Sequence, residues 1–203
     1  LGAEVRSILL IKKLLTQFRL SQKNILLYAL NPLVILELSG NLHLEAFMIF
    51  FLLLTIFFLQ KNKFTLSAIA FGFAVCVKLI PLIFLPVVLL SLKSIKTAFN
   101  FCLVLGITSI LLFTPLVDWE IISGFNQSLS YYFQKFEFNA SIYYLVREWG
   151  YWQYGYNIVQ TVGWKLGLIS TTGILVYSLW SRLVVNNKPN TNNQQLFLDW
   201  LWI

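Results

Sequence analysis

Acidic side chains are scarce in this sequence: eight Asp and Glu stand against fifteen Lys and Arg in 203 residues, there is one histidine, and charged residues make up 11% of the chain. Soluble domains carry roughly 25% charged residues, so an ordinary solvated globular surface is excluded. Cysteine is almost missing. Cys76 and Cys102 lie inside apolar stretches without partner spacing and read as packing residues, so neither a disulfide framework nor a thiolate metal site is expected. No initiator methionine and no recognisable signal peptide are present. The chain opens inside an apparent helix and stops at Leu198-Asp-Trp-Leu-Trp-Ile203, so it is expected to be a fragment of a longer protein.

What is there in quantity is hydrocarbon. The hydrophobic fraction is 58% and the mean hydropathy +0.74. Apolar runs recur at 43–59, 64–77, 82–92, 97–117 and 162–185 between short polar or basic breaks, and a spanning helix needs about 20 residues. The expected fold is all-α: a polytopic membrane helix bundle with broken or re-entrant helices, forming one transmembrane domain over 1–203. An extracytoplasmic aromatic loop carrying interfacial helices is expected at 118–160.

Ten of the fifteen basic residues fall in four breaks: Lys12, Lys13, Arg19 and Lys23; Lys61 and Lys63; Lys93 and Lys96; Arg182 and Lys188. The positive-inside rule puts these breaks on the cytoplasmic side. Segments at about 1–18, 43–60 and 162–185 then run inward, and 24–40 and 97–117 run outward. The stretch 64–92 is too long for one ordinary span and too short for two. A hairpin turning at Lys78-Leu-Ile-Pro81 keeps Lys93, Lys96 and Lys188 inside, and Pro81 disfavours continuing the helix. Its second arm, about 82–92 with Pro86, is expected to be short and irregular.

Polar residues gather on the opposite side. Glu37, Asn41, His43 and Glu45 lie within nine residues at the outer turn between two segments, and Lys78 marks the turn of the hairpin. Ionisable groups at membrane depth are costly, by about 2.5–3.5 kcal/mol for an aspartate or a basic residue at the bilayer centre, and are rare unless they face a cavity. Glu37, His43 and Glu45 are therefore the candidate catalytic groups. Asn31-Pro32 should break segment 24–40 and free a carbonyl near position 28, and broken helices at this depth commonly build ligand sites; a plain kink with Asn31 bonded to its own backbone is the competing reading. Gly40 suits a left-handed helix stop and Asn41 a cap for the next helix. Lysine at a helix end can snorkel to the headgroups, yet Lys78 sits on the side that basic residues otherwise avoid, where an ammonium suits a phosphate. One histidine and two glutamates have no recognised metal spacing, and no metal is expected.

The loop from Asp118 to about Gln160 is crowded with Trp and Tyr, including Trp119, Tyr143, Trp149 and Trp152. Helices lying in the interface are expected at 121–136 and 140–148. Such rings anchor to lipid and also stack on sugars; Asn139 and Arg147 are the candidates there for a polar or anionic substrate. Asn126-Gln-Ser128 and Asn139-Ala-Ser141 match the glycosylation pattern, which is common by chance.

Asn31-Pro32, Glu37, Gly40-Asn41-x-His43-x-Glu45, Lys78-x-x-Pro81 and Leu85-Pro86 resemble the core of bacterial membrane mannosyltransferases of the GT-C superfamily, and Lys135-Phe-Glu-Phe-Asn-Ala-Ser-Ile-Tyr-Tyr-Leu-Val-Arg147 resembles Bacteroidetes-type members. The resemblance runs over about 31–182; members typically carry Asp where Glu45 stands. It implies a hexosyltransferase moving a sugar, mannose by analogy, from a polyprenyl-phosphate donor to a glycan or lipid acceptor at the extracytoplasmic face. No cofactor is implied beyond that donor. The catalytic base is implied to lie upstream of Leu1. Lys78 would hold the donor phosphate, and Asn31, Asn41, Asn139 and Arg147 would contact substrate. The implied setting is a bacterial cytoplasmic membrane with the site facing the periplasm; membrane lipid is a partner and nucleic acid is not. A transporter or flippase of a lipid-linked or anionic substrate would also use a broken helix, carboxylates and a lysine. Against it, no acid lies along the inner half of any segment. A scaffold subunit would not need the polar cluster.

Overall fold

The computed structural model describes residues 2–40, 44–92, 94–116, 124 and 141–186. The described elements are helical. They divide into two compact units: one runs through Pro115 and resumes at Ser178, the other covers Leu116–Tyr177.

The first unit opens with α1, Gly2–Gln17. Arg19, at φ 56, then takes the left-handed position and Leu20 N–H closes back on the Leu15 carbonyl at 2.9 Å, a Schellman-type stop. Segment 24–40 is no single helix. It consists of α2 (Ile25–Ala29), α3 (Pro32–Val34) and a π-helical turn over Ile35–Gly40. Asn31-Pro32 causes the first break: Pro32 has no amide hydrogen to donate, and Asn31 is extended at φ −68, ψ 119. The Tyr28 carbonyl expected to be freed accepts from Asn31 N–H at 3.2 Å. Gly40 is also unlike the expectation, because among the described residues the left-handed ones are Arg19, Asn62 and Gly155. Gly40 closes the π turn instead, whose wider winding already interrupts the helix.

α4 (Glu45–Gln60) and α5 (Phe64–Val77) form a helical hairpin. Its tight corner is made by Asn62 at φ 55, with Lys63 N–H closing on the Phe58 carbonyl at 2.9 Å. α5 is the hub because its small residues let neighbours approach. Ser67 Oγ donates to the Thr55 carbonyl at 3.0 Å between two buried positions, so the polar groups of this seam serve each other. A Cβ on Gly72 would lie 2.9 Å from Thr108 Cγ2 of α7, Ile95–Phe113. Phe71 and Phe101 pack with centroids 6.1 Å apart.

Helix α5 stops at Lys78, which is extended. A 3-10 turn over Ile80–Phe84 follows, and then α6, Leu85–Ser91. Pro81 and Pro86 each occupy the first turn of their element, where a missing donor costs nothing. Val88 and Leu92 belong to one core cluster with Leu59, Ala68, Phe71 and Phe101. A continuous helix would have carried Leu92 far beyond that cluster, so the chain turns back at Lys78, as the basic residues demanded.

In the second unit α8, Ser141–Tyr154, leads through Gly155 at φ +78 into α9, Val159–Asn186, of which the part up to Tyr177 belongs to this unit. The helix expected at 140–148 thus runs six residues further at its end; the one expected at 121–136 lies, but for Gly124, outside the described residues. α7 and the Thr161–Trp180 part of α9 are long and apolar enough to cross a membrane, with 11% and 6% of those windows buried. α4, α5 and Ile80–Ser91 are apolar but shorter.

Candidate functional site

Glu45 occupies the first turn of α4 and Lys78 the stop of α5. The sixteen residues of α4 rise about 24 Å and the fourteen of α5 about 21 Å. Two antiparallel helices of nearly equal length joined by a tight corner return the second terminus to the level of the first. The side chains meet there: Lys78 Nζ lies 2.8 Å from Glu45 Oε1, across 33 positions of sequence. Each charge also suits its helix end, the carboxylate at an N-terminus and the ammonium at a C-terminus. With side chains 45% and 33% exposed, the pair is not enclosed by protein, and exposed pairs of this kind contribute about 0.2–1 kcal/mol. Such a contact orients its partners more than it holds the fold.

Glu37 lies within the π turn just ahead of this edge. π turns inside helices are rare and frequent at functional sites; no local pattern in Ile35-Leu-Glu-Leu-Ser-Gly40 announced one. Asn41 and His43 lie outside the described residues, as does Asn139. Asn31 is exposed, and its side-chain oxygen accepts from Leu33 N–H at 2.9 Å. That is the capping duty of a residue before a new helix, and it accounts for Asn31 locally.

Beneath the edge, Ile11 and Leu14 of α1 with Phe18 just after it, Leu52 and Ile56 of α4, and Val87 and Val88 of α6 line an apolar cleft of about 330 Å³. Thr55 reaches its wall, but its hydroxyl donates to the Phe51 carbonyl at 2.8 Å. The cleft therefore offers hydrocarbon contact and little polar chemistry.

The second unit holds Arg147. Its Nη2 lies 3.2 Å from Glu148 Oε1, and its guanidinium sits 4.7 Å from the centre of the Tyr144 ring. Tyr143 OH donates to Asn157 Oδ1 at 2.5 Å, tying α8 to the corner before α9. Leu145, Trp149 and Trp152, spaced along one face of α8, are 74%, 50% and 84% exposed. Among the described residues no group of three His, Cys, Asp or Glu could hold a metal ion.

Residues 4–94 match the family model described as alpha-(1->6)-mannopyranosyltransferase, N-terminal domain. No curated protein and no solved structure is similar to the chain at a significant level. The matched segment contains the broken helix, Glu45, Lys78 and the turn-back after it, but less than half of the chain. It supports a mannosyltransferase, and hence a glycosyl-transferring enzyme.

Proposed function

We propose that the chain is the membrane-embedded part of a GT-C-type mannosyltransferase that takes mannose from a polyprenyl-phosphate donor and transfers it to a glycan or lipid acceptor at the extracytoplasmic face. The observation that carries the reading is the Glu45–Lys78 contact, which joins the polar turn to the bend after α5 inside the segment resembling a mannosyltransferase domain. The open faces of α7 and α9 support a bilayer setting, since Phe99, Ile110, Leu111, Ile169 and Trp180 are each at least 60% exposed, and apolar area on that scale is a liability in water.

In this reading a base supplied from upstream removes the proton of an acceptor hydroxyl as its oxygen attacks the anomeric carbon. The bond from that carbon to the phosphate oxygen breaks, the configuration inverts, and the electron pair leaves on polyprenyl phosphate. Lys78 stabilises the charge growing on the leaving phosphate. Glu37, Asn41, His43 and Glu45 shape the pocket and orient sugar hydroxyls, with Asn139 and Arg147 contributing from the long loop. The apolar cleft would receive hydrocarbon. The test is sugar transfer by membranes containing the full-length protein, given a labelled polyprenyl-phosphate mannose: Lys78→Ala should abolish most of the transfer, and a normal rate would rule out the phosphate role.

A further inference from the structure

We propose that Glu45 is a stand-in anion for Lys78: without donor its carboxylate holds the ammonium at the bend, and the phosphate of the lipid-linked sugar displaces it. The inference rests on the phosphate role given to Lys78 above and adds a second player and an order of events. Three features of the pair argue for exchange rather than a fixed strut. Lys78 reaches Glu45 through its Nζ, 2.8 Å from Oε1, and an ammonium is a point charge with no planar fork to hold it in one geometry. Neither side chain is covered by protein, the two being 45% and 33% exposed, so an incoming anion has access. Finally, Glu45 stands in the first turn of α4, where the helix end favours a carboxylate even after the lysine has left it.

The charges of substrate and product give the exchange a direction. The donor phosphate is a diester carrying one negative charge, whereas the released polyprenyl phosphate is a monoester with a charge of about −1.5 to −2 at neutral pH. Lys78 alone would therefore hold product more tightly than substrate. A carboxylate waiting beside it competes with both, and the competition matters most where the product would otherwise linger. Glu45 is thus a positioning residue that clears the phosphate site after each turnover.

The experiment measures initial rates with polyprenyl-phosphate mannose, and inhibition by added polyprenyl phosphate, for the full-length enzyme and its Glu45→Gln, Glu45→Asp and Lys78→Ala variants. Glu45→Gln should tighten product inhibition by about 1.4- to 5-fold, the range set by the strength of exposed ion pairs. It should lower the KM for donor by a similar factor and reduce kcat, and Glu45→Asp should restore values close to those of the unaltered enzyme. A merely structural pair would instead raise KM and leave product inhibition weaker or unchanged, and either result overturns the exchange. In the unaltered protein, carbodiimide labelling of Glu45 followed by mass spectrometry should rise when polyprenyl phosphate is added; constant labelling also overturns it. If Lys78→Ala loses product inhibition while Glu45→Gln matches the unaltered enzyme, the exchange alone fails. Undiminished product inhibition in Lys78→Ala removes the phosphate role and the exchange together.

Discussion

The two units spend their polar residues differently. In the first, Lys78 and Glu45 come from separate helices and meet at an exposed edge, while the polar groups of the core, Ser67 and Thr55, bond to backbone at the α4–α5 seam. In the second, Tyr143 bonds Asn157 at a part-buried position, Arg147 pairs with its immediate neighbour Glu148, and large aromatic side chains are left outside. A long-range pair needs the fold to exist before it can form; a neighbouring pair does not. The first unit is thus built to bring charges together, and the second to present rings.

Several substitutions would sharpen or break that contrast. The largest effect is expected from Lys78→Ala, which removes stabilisation of the leaving phosphate: transfer in the labelled-donor assay should fall about 10²-fold or more, the scale seen when one donor to a developing anion is lost. Arg147→Ala should cost far less in the same assay, because its charge is already shared with Glu148 and the Tyr144 ring. Equal losses would erase the distinction between the units.

Packing gives the next contrast. Gly72→Leu drives a side chain against Thr108 and Leu105, and should destabilise the protein by about 1–3 kcal/mol or more in detergent unfolding. Gly150→Ala places a methyl group 2.7 Å from Ile158 Cγ1 and should loosen the corner of the second unit. Because alanine adds a single methyl group, against the whole leucine side chain at position 72, its effect should be the smaller of the two. Smaller again, Tyr143→Phe removes one hydrogen bond, about 0.5–1.5 kcal/mol. At the low end, Asn31→Ala should cost about 1 kcal/mol as a lost cap and leave transfer nearly unchanged; a large loss of transfer would give Asn31 a substrate role beyond its local one.

Sequence reasoning reached the parts of the fold that charge and proline govern. The basic breaks required a turn between Phe64 and Leu92, Pro81 located it, and the chain does reverse at Lys78. Asn31-Pro32 announced its own break. What stayed hidden was set by packing. Nothing in Ile35–Gly40 signals a π turn over a simple helix end, and Gly40 drew the left-handed stop by habit of residue type, whereas Arg19 and Asn62 carry it. Glu45 and Lys78 were separately legible as misplaced charges at one edge. Their direct pairing needed the near-equal lengths of α4 and α5, and those lengths depend on where Asn62 ends one helix and the next begins. His43, Asn41 and Asn139 remain part of the proposal on the strength of their sequence positions alone.

The central claim is that the start of α4 and the bend after α5 share one exposed edge. Cysteine pairs test it most directly: in full-length protein with Cys76→Ala and Cys102→Ala, Glu45→Cys and Lys78→Cys are introduced together in native membranes and treated with a short thiol cross-linker that does not cross the bilayer. The account predicts efficient cross-linking between positions 45 and 78 from the extracytoplasmic side, with none between 61 and 78. Reaction at only one of the two sites, or equal cross-linking of 61 to 78, would contradict it.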